Sequence, residues 1–191
     1  IVENPDTYLM QFRSGGLDVI EVQPRNFSLL KREEKRGNFS IYNGGADTGT
    51  IYLSFNLNKG RRNGKPLVDP IKSRWFNNVA FRQAVAYGMN RELMLNNAFR
   101  GLGELQYSGT WVKSPYYLSP KQGLKVYDYN PEKAKQLLLG AGFKYNEKKQ
   151  LLDADGNRVR FTLLANTGSR TAEVVGSQMK QDMAKIGIQV D

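Results

Sequence analysis

The sequence predicts an α/β fold: one lobe, residues 1–191, in which a mixed β-sheet is flanked by helices. Segments with the 3.6-residue spacing of amphipathic helices alternate with short runs of β-branched and aromatic residues. No segment repeats another, and 191 residues suffice to bury one substantial core without a disulfide or a metal ion. These observations together indicate a single lobe.

The first third of the chain is expected to alternate helix and strand. Asn4-Pro5-Asp6 predicts the start of a helix that turns Tyr8, Leu9 and Phe12 inward and ends at Ser14-Gly15-Gly16. A second helix is expected from about Asn26 to Gly37-Asn38. The strands expected here are residues 17–22, which Pro24 would end, 39–43 and 50–57, the last two joined by a glycine-rich loop, residues 44–49.

In the middle of the chain, the sequence predicts an exposed loop followed by two helices. Residues 59–72 are polar and rich in turn-forming pairs such as Asn63-Gly64. Asn77 or Asn78 then caps a helix, and Asn90 caps a second one, residues 91–99, that stops at Gly101. The first of these helices has its apolar residues on one face: Phe81, Ala84, Val85, Gly88 and Met89.

The last third begins with a long irregular stretch, residues 101–129. Asn130-Pro131 starts a helix that Gly142 closes, and residues 150–164 predict a β-hairpin around Asp155-Gly156. A final helix from about Ser169 to Ile186 buries Val175, Met179 and Met183, and a strand follows at residues 188–190. The chain both begins and ends abruptly, so we expect it to be an excised piece of a longer protein.

Composition excludes several classes of function. With no cysteine and no histidine, the chain lacks thiolate nucleophiles, Cys-ligated zinc, the commonest general base and the commonest transition-metal ligand. No apolar run approaches the ~18 residues that a membrane span needs. The net charge of +10 leaves nucleic-acid binding as an alternative, although the basic residues form short groups beside glutamates rather than one continuous face.

The triplet Asp47-Thr48-Gly49 matches the Asp-Thr-Gly motif of the aspartic-protease catalytic loop. A hydrolase that uses Asp47 is therefore a second alternative. That chemistry needs two carboxylates sharing one proton, and the chain carries no second copy of the triplet. The simpler interpretation of this triplet is that it belongs to a flexible connection between two strands. The same glycines imitate a phosphate-binding loop, but the required lysine is missing and no helix follows.

Two segments are candidates for binding. Residues 106–117 combine aromatic and small hydroxyl side chains in a long loop, which suits either a contact surface or an Ω-like loop packed by its own aromatic residues. Residues 166–170 connect an expected strand end to a helix N-terminus, where a carboxylate would be favoured. The candidate contact residues are Ser108, Trp111, Tyr116, Asn166, Ser169 and Arg170.

The segment Phe76-Asn77-Asn78-Val79-Ala80-Phe81-Arg82-Gln83-Ala84-Val85-Ala86-Tyr87-Gly88-Met89-Asn90-Arg91 closely resembles the middle of the bacterial extracellular solute-binding proteins of family 5. These are the dipeptide- and oligopeptide-binding receptors of ABC importers. Four further segments resemble the family in the same order: residues 11–18, 51–56, 127–143 and 181–190. Each segment alone is moderately specific, and the five in order are a strong signal.

The resemblance implies a periplasmic-binding-protein-like lobe, which would be most of the C-terminal lobe of a two-lobed receptor that closes around a peptide. It further implies a monomeric, non-enzymatic protein without cofactor or metal, periplasmic or extracellular, which delivers peptides to ABC permease subunits. Contact with a membrane would come through the permease, or through a lipid anchor outside this chain. Arg170 lies near the position where dipeptide receptors hold the ligand carboxylate.

Overall fold

The computed structural model describes residues 4–191. Within this range lie seven α-helices and one 3₁₀ turn, at Pro120–Gln122. The helices are α1 Pro5–Arg13, α2 Pro24–Gly37, α3 Pro70–Asn77, α4 Val79–Gly88, α5 Arg91–Phe99, α6 Pro131–Gly140 and α7 Arg170–Lys185. The strands are β1 Arg61–Arg62, β2 Lys65–Pro66, β3 Lys144–Tyr145, β4 Leu151–Leu152, β5 Arg160–Phe161 and β6 Gln189–Val190.

The helices begin where capping side chains satisfy the free N–H groups of the first turn. Five of these caps were predicted in position: Asn4, Asn78, Asn90, Asn130 and Ser169 each accept a backbone N–H with the side-chain oxygen. Helix α2 begins at Pro24, two residues before the predicted start. Helix α3 was not predicted, and there the Asp69 carboxylate accepts from the N–H groups of Ile71 and Lys72.

The predicted strands at residues 17–22, 39–43 and 50–57 are wrong for the part of the chain that the structure describes. Their backbone forms no β-ladder with any of residues 4–191. Segment 50–57 nevertheless turns Leu53 and Phe55 onto the core, while Tyr52 is 80% exposed. The alternation of inward and outward side chains was therefore predicted correctly, but an alternating pattern does not supply a partner strand.

Three short strand pairs form the β structure of residues 4–191: β1–β2 and β3–β4 are antiparallel, and β5–β6 is parallel. The hairpin predicted around Asp155-Gly156 is present, with Leu152 bridging Arg158 and the Val159 N–H donating to Leu151 O over 2.8 Å. The Gln189 N–H in turn donates to Val159 O. The fold class is confirmed, with the β structure much shorter than expected.

The core lies where α4 packs against α6 and α7. Phe81, Ala84 and Val85 on α4 are fully buried, as the predicted apolar face requires. Around Phe81 the rings of an aromatic cluster meet at centroid distances between 5.1 and 6.4 Å. The members of this cluster are Phe55, Phe76, Phe81, Phe143 and Phe161.

Asp182 on α7 is fully buried and ties that helix to the α4–α5 junction. Its carboxylate accepts from the Asn90 N–H at the α4–α5 junction over 3.0 Å, from Gln178 Nε2 over 3.1 Å and from Lys185 Nζ over 2.8 Å. The pKa of Lys185 is raised, first by its hydrogen bond to Asp182 and then by the one to Tyr129. A charged carboxylate is tolerated in the core here because three donors, one of them cationic, satisfy it.

Trp75 is buried against the hairpin that follows β4. Its Nε1–H donates to Asp153 Oδ2 over 3.0 Å. Asp153 also accepts from the backbone N–H groups of Asp155 and Asn157. One carboxylate therefore organises the turn and fixes it to α3.

Helices α1 and α2 form the N-terminal part of the described chain, and α2 contacts α5. The Arg13 guanidinium makes a two-point contact with the Glu33 carboxylate, at 2.9 and 2.8 Å. The rings of Phe12 and Phe39 pack edge to face with their centroids 5.0 Å apart. Leu30 on α2 is fully buried.

Candidate functional site

The predicted contact residues Ser108, Trp111 and Tyr116 all lie in residues 101–129, named here the aromatic loop. Apart from the 3₁₀ turn this segment has no regular structure, as predicted. Within it the Ser108 Oγ donates to Thr110 O over 3.0 Å, and the Gln106 Nε2 donates to both Ser108 O and Thr110 O. Ser108 thus uses its hydroxyl proton within its own turn.

Trp111 presents a polar group without a partner. The ring is half-buried, and its Nε1 is buried with no hydrogen-bond acceptor among residues 4–191. A buried N–H that has left water without gaining a partner is energetically unfavourable. The Trp111 Nε1–H is therefore a donor without an acceptor in residues 4–191, and we name it the open Nε1–H. Tyr116 lies five residues further on with 88% of its surface exposed.

Arg91, at the start of α5, anchors the aromatic loop to the helices and was not among the predicted site residues. Its guanidinium donates to Ala86 O over 3.2 Å and to Tyr127 O, and it lies 5.3 Å from the centre of the Tyr107 ring. Burial lowers the pKa of Arg91, and the neighbouring Tyr107 and Asp128 oppose that shift. The pKa of Tyr107 is raised, first by its own burial and then by the Asp128 charge.

A second set of contacts holds the C-terminal end of the aromatic loop on α4. The Asn130 N–H donates to Tyr87 O over 2.8 Å, and the Gln83 Nε2 donates to the Tyr127 hydroxyl over 3.3 Å. The Tyr87 and Tyr127 rings pack edge to face at 5.2 Å. Gln83 and Tyr87 belong to the segment that carried the family resemblance, and no local pattern indicated which loop they would hold.

The glycine-rich loop, residues 44–49, lies beside the aromatic loop. A Cβ built on Gly45, whose φ is +85°, would come within 2.9 Å of Lys113 Nζ. Asp47 is exposed, and its Oδ1 accepts from the N–H and hydroxyl of the adjacent Thr48. This is the geometry of a local turn, with no second carboxylate bonded to Asp47 among the described residues.

The remaining predicted residues lie together at the start of α7. Ser169 caps the helix by accepting the Ala172 N–H with its Oγ, and Asn166 O accepts the Ser169 N–H. The Arg170 Nη1 lies 3.1 Å from Glu173 Oε2 in an exposed ion pair. Arg170 and Glu173 also line a shallow depression of about 450 Å³ between α5 and α7.

The structure does not join these two groups of predicted residues. Across residues 4–191, no hydrogen bond or ion pair connects the three in the aromatic loop with Asn166, Ser169 or Arg170. The described part of the chain contains no cluster of acidic side chains suited to a metal ion. It also contains no helix with the length and apolarity to cross a membrane.

The fold is that of a lobe of the periplasmic-binding-protein class. The structure of the oligopeptide-binding protein AppA from Bacillus subtilis in complex with a nonapeptide matches with a TM-score of 0.74 and 25% identity, over 100% of this chain and 34% of that one. NikA from Brucella suis in complex with Fe(III)-EDTA shares the fold, with a TM-score of 0.75 and 21% identity, over 100% of this chain and 35% of that one.

The chain belongs to the bacterial extracellular solute-binding proteins, family 5, because residues 1–191 match the model of the middle part of that family. A probable ABC transporter-binding protein of Deinococcus radiodurans is 28% identical over 100% of this chain and 31% of its own length. AppA of Bacillus subtilis is 26% identical over 100% of this chain and 32% of its own length. The chain thus spans about a third of each of these relatives, and the predicted resemblance is confirmed.

Members of the family are extracellular solute-binding proteins rather than enzymes, and the comparisons give no support to the alternatives of a hydrolase or a nucleic-acid-binding domain.

Proposed function

We propose that this chain is part of the substrate-binding component of an ABC importer, which captures peptides and delivers them to membrane permease subunits. The observation that carries the proposal is the family match over residues 1–191, together with the likeness to AppA, whose structure holds a nonapeptide. The relative from Deinococcus radiodurans, named a probable ABC transporter-binding protein, supports the transport role.

In this proposal the chain supplies most of one lobe of a longer, monomeric, two-lobed receptor in the periplasm or on the outer face of a membrane. Peptide would bind between the lobes, and the receptor would close by a hinge motion that contacts to both lobes make favourable. The proposal requires no cofactor and no catalytic residue. The third of the relatives' length that this chain spans is consistent with a single lobe.

Within the chain we place the main ligand contacts on the aromatic loop. The open Nε1–H of Trp111 matches a peptide carbonyl, an acceptor that every residue of a peptide offers whatever its side chain. Tyr116 supplies an exposed aromatic surface of the kind enriched at binding interfaces. Ser108 shapes the turn before Trp111.

The start of α7 is the second part of the proposed contact surface. Asn166, Ser169 and Arg170 lie at a helix N-terminus, where the helix dipole and a cation favour a carboxylate. Arg170 would exchange its exposed ion pair with Glu173 for the ligand carboxylate. The loss of that ion pair would cost little, because exposed ion pairs contribute little to stability.

The test is thermal unfolding of the full-length receptor with and without mixed di- to hexapeptides and a nonapeptide, at two salt concentrations. Peptide at 100 times its dissociation constant adds about 2.7 kcal/mol to the free energy of unfolding. We expect a rise in melting temperature that salt does not abolish. No shift with any peptide, alongside a shift with an oligosaccharide or a chelated metal, would move the ligand to another class of solute.

The variant Trp111→Phe tests the proposed contact within the same experiment. It keeps an aromatic ring but removes the Nε1–H donor, so we expect weaker peptide binding, by about tenfold for one hydrogen bond, with the peptide-free melting temperature little changed. Trp75→Phe is the matched control. Its donor is committed to Asp153, so peptide affinity should hold while stability falls. Equal affinity in wild type and Trp111→Phe would remove Trp111 from the site.

A further inference from the structure

The hairpin formed by β1 and β2 concentrates positive charge at an exposed tip. Residues 59–66, named here the cationic hairpin, contain four cations and no acidic residue: Lys59, Arg61, Arg62 and Lys65. Every residue from 56 to 67 is exposed. Among the described residues, none of the four cations forms an ion pair. This stretch therefore differs from α2, where Lys31 and Arg36 pair with Glu34 and Glu33.

The register of the hairpin brings like charges together. Arg62 lies directly opposite Lys65, next to the Asn63-Gly64 turn. The Arg61 Nη1 donates to Gly64 O over 2.8 Å, which holds its guanidinium at the same turn. Like charges directly opposite one another destabilise a strand pair. Three mutually repelling cations thus share one two-residue turn, and an anionic partner would relieve that repulsion.

We propose that the cationic hairpin docks on the phosphate headgroups of an anionic phospholipid bilayer. A narrow tip with cations on both of its faces is matched by a layer of headgroups that surrounds it, whereas a folded acidic protein would meet one face. Two partly exposed apolar side chains at the base of the hairpin, Leu57 at 42% and Leu67 at 46%, suit the adjoining interfacial region. Arginine is also the side chain best suited to two-point contacts with phosphate.

This contact goes beyond the proposed solute binding and uses none of its residues. A bilayer with a negative surface potential attracts each nearby Lys or Arg enough to raise partitioning about fivefold per cation. Four cations at one tip therefore give a usable attraction. The effect fades within a Debye length, ~10 Å at 0.1 M salt, so only cations at the contact surface contribute strongly.

The experiment is sedimentation of the full-length, non-acylated protein with vesicles of phosphatidylcholine containing about a third phosphatidylglycerol. The test variant carries Lys59→Gln, Arg61→Gln, Arg62→Gln and Lys65→Gln. Its partition coefficient should fall by at least ~10-fold, given the attraction that each cation contributes. Binding of the wild type should be absent with pure phosphatidylcholine and should weaken as salt is raised.

The matched control removes four exposed lysines elsewhere, through Lys121→Gln, Lys144→Gln, Lys148→Gln and Lys180→Gln, and so has the same net charge. We expect it to keep most of the binding. A charge-conserving variant, with Lys59→Arg, Arg61→Lys, Arg62→Lys and Lys65→Arg, should also bind, and circular dichroism should show equal folding in all four proteins.

Three outcomes would overturn the proposal. Equal loss in the test and control variants would reduce the attraction to net charge. Absence of wild-type binding to the anionic vesicles would remove the lipid partner. Stronger hairpin-dependent binding to soluble polyglutamate or to a mixed-sequence DNA 20-mer than to vesicles would assign the cationic hairpin to an acidic protein surface or to nucleic acid.

Discussion

The two tryptophans of the chain place the same donor in opposite situations. Trp75 is 4% exposed, and its Nε1–H donates to the Asp153 carboxylate, while the Nε1–H of Trp111 is buried without a partner among the described residues. A buried donor with a charged acceptor stabilises the folded state, whereas a buried donor without one opposes it. At Trp75 the indole N–H therefore supports the fold, and at Trp111 it satisfies no acceptor among the described residues, which is why we propose it as a peptide contact.

Replacing each tryptophan by phenylalanine separates these roles. Trp75→Phe deprives a buried carboxylate of one donor, and a hydrogen bond to a charged group contributes about 1.5–3 kcal/mol. We expect that loss in the free energy of unfolding measured by urea titration. Trp111→Phe loses no hydrogen bond and should cost clearly less. A Trp111→Phe protein as unstable as Trp75→Phe would contradict this interpretation of the open donor.

Acidification distinguishes the hydrogen bond from the smaller ring. Burial raises the pKa of Asp153, but hydrogen bonds from Asn157, from Trp75 and from two backbone N–H groups outweigh it, so the pKa lies below its ordinary value. The ionised form therefore adds stability above about pH 4, and this stability is lost as the pH falls through the folded-state pKa. The stability difference between wild type and Trp75→Phe should accordingly shrink at low pH.

At the scale of helices and strands, the features that depend on neighbouring residues, such as helix starts, could be predicted from the sequence. Capping side chains act within three residues, so the starts of α1, α4, α5, α6 and α7 could be predicted from the sequence. Helix α3 also begins with a capping side chain, Asp69, followed by Pro70. It was not predicted because this pair lies in a stretch that was expected to be a turn-rich exposed loop. The three wrong strands failed because pairing depends on a second segment that no local pattern identifies.

In the candidate site, too, local features could be predicted from the sequence and long-range contacts could not. The position and irregularity of the aromatic loop were predicted, but its anchors Arg91, Gln83 and Tyr87 were not. These side chains act on residues about 40 positions away in the sequence, such as Tyr127, and only tertiary packing brings them together. The role of Asp182 was missed for the same reason, since it joins α7 to the N–H of Asn90, which is 92 positions away in the sequence.

A substitution at Gly187 tests how closely the turn at the end of α7 is packed. Its φ is +78°, and a Cβ there would lie 2.7 Å from Tyr145 Cε1, 2.8 Å from Lys149 O and 2.9 Å from Leu151 N. Gly187→Ala therefore combines a left-handed backbone with collisions against two backbone atoms. We expect a loss of about 2–4 kcal/mol in the free energy of unfolding, measured by urea titration.

Gly156→Ala is the matched control for Gly187→Ala. Gly156 has a similar φ, +85°, but no atom lies within 4 Å of the position that a Cβ would take. Only the left-handed strain remains, at about 1 kcal/mol. If the two variants lost equal stability, close packing of β3 and β4 against the α7–β6 turn would contribute nothing beyond backbone conformation.

At the scale of the whole molecule, 28 basic residues exceed 18 acidic ones and give a net charge of +10. Exposed ion pairs such as Arg74–Asp155, at 2.7 Å, and Lys135–Glu132, at 2.8 Å, neutralise some cations locally. Pairs of this kind contribute little each, and salt screens them. The net repulsion among the remaining cations is also screened by salt, and it opposes the compact state more than the unfolded chain.

Screening of the ion pairs would lower the melting temperature, whereas screening of the repulsion among cations would raise it. The excess of cations determines which of the two effects is larger. Because 28 basic residues face 18 acidic ones, screening should remove more repulsion than attraction, so the melting temperature should rise between about 10 and 150 mM sodium chloride. Differential scanning calorimetry at pH 7 measures this rise. The variant with the cationic hairpin neutralised should begin with a higher melting temperature and gain less from salt, because the repulsion between Arg62 and Lys65 is already gone. A melting temperature that falls with salt in both proteins would mean that ion pairs such as Arg13–Glu33 outweigh the net charge.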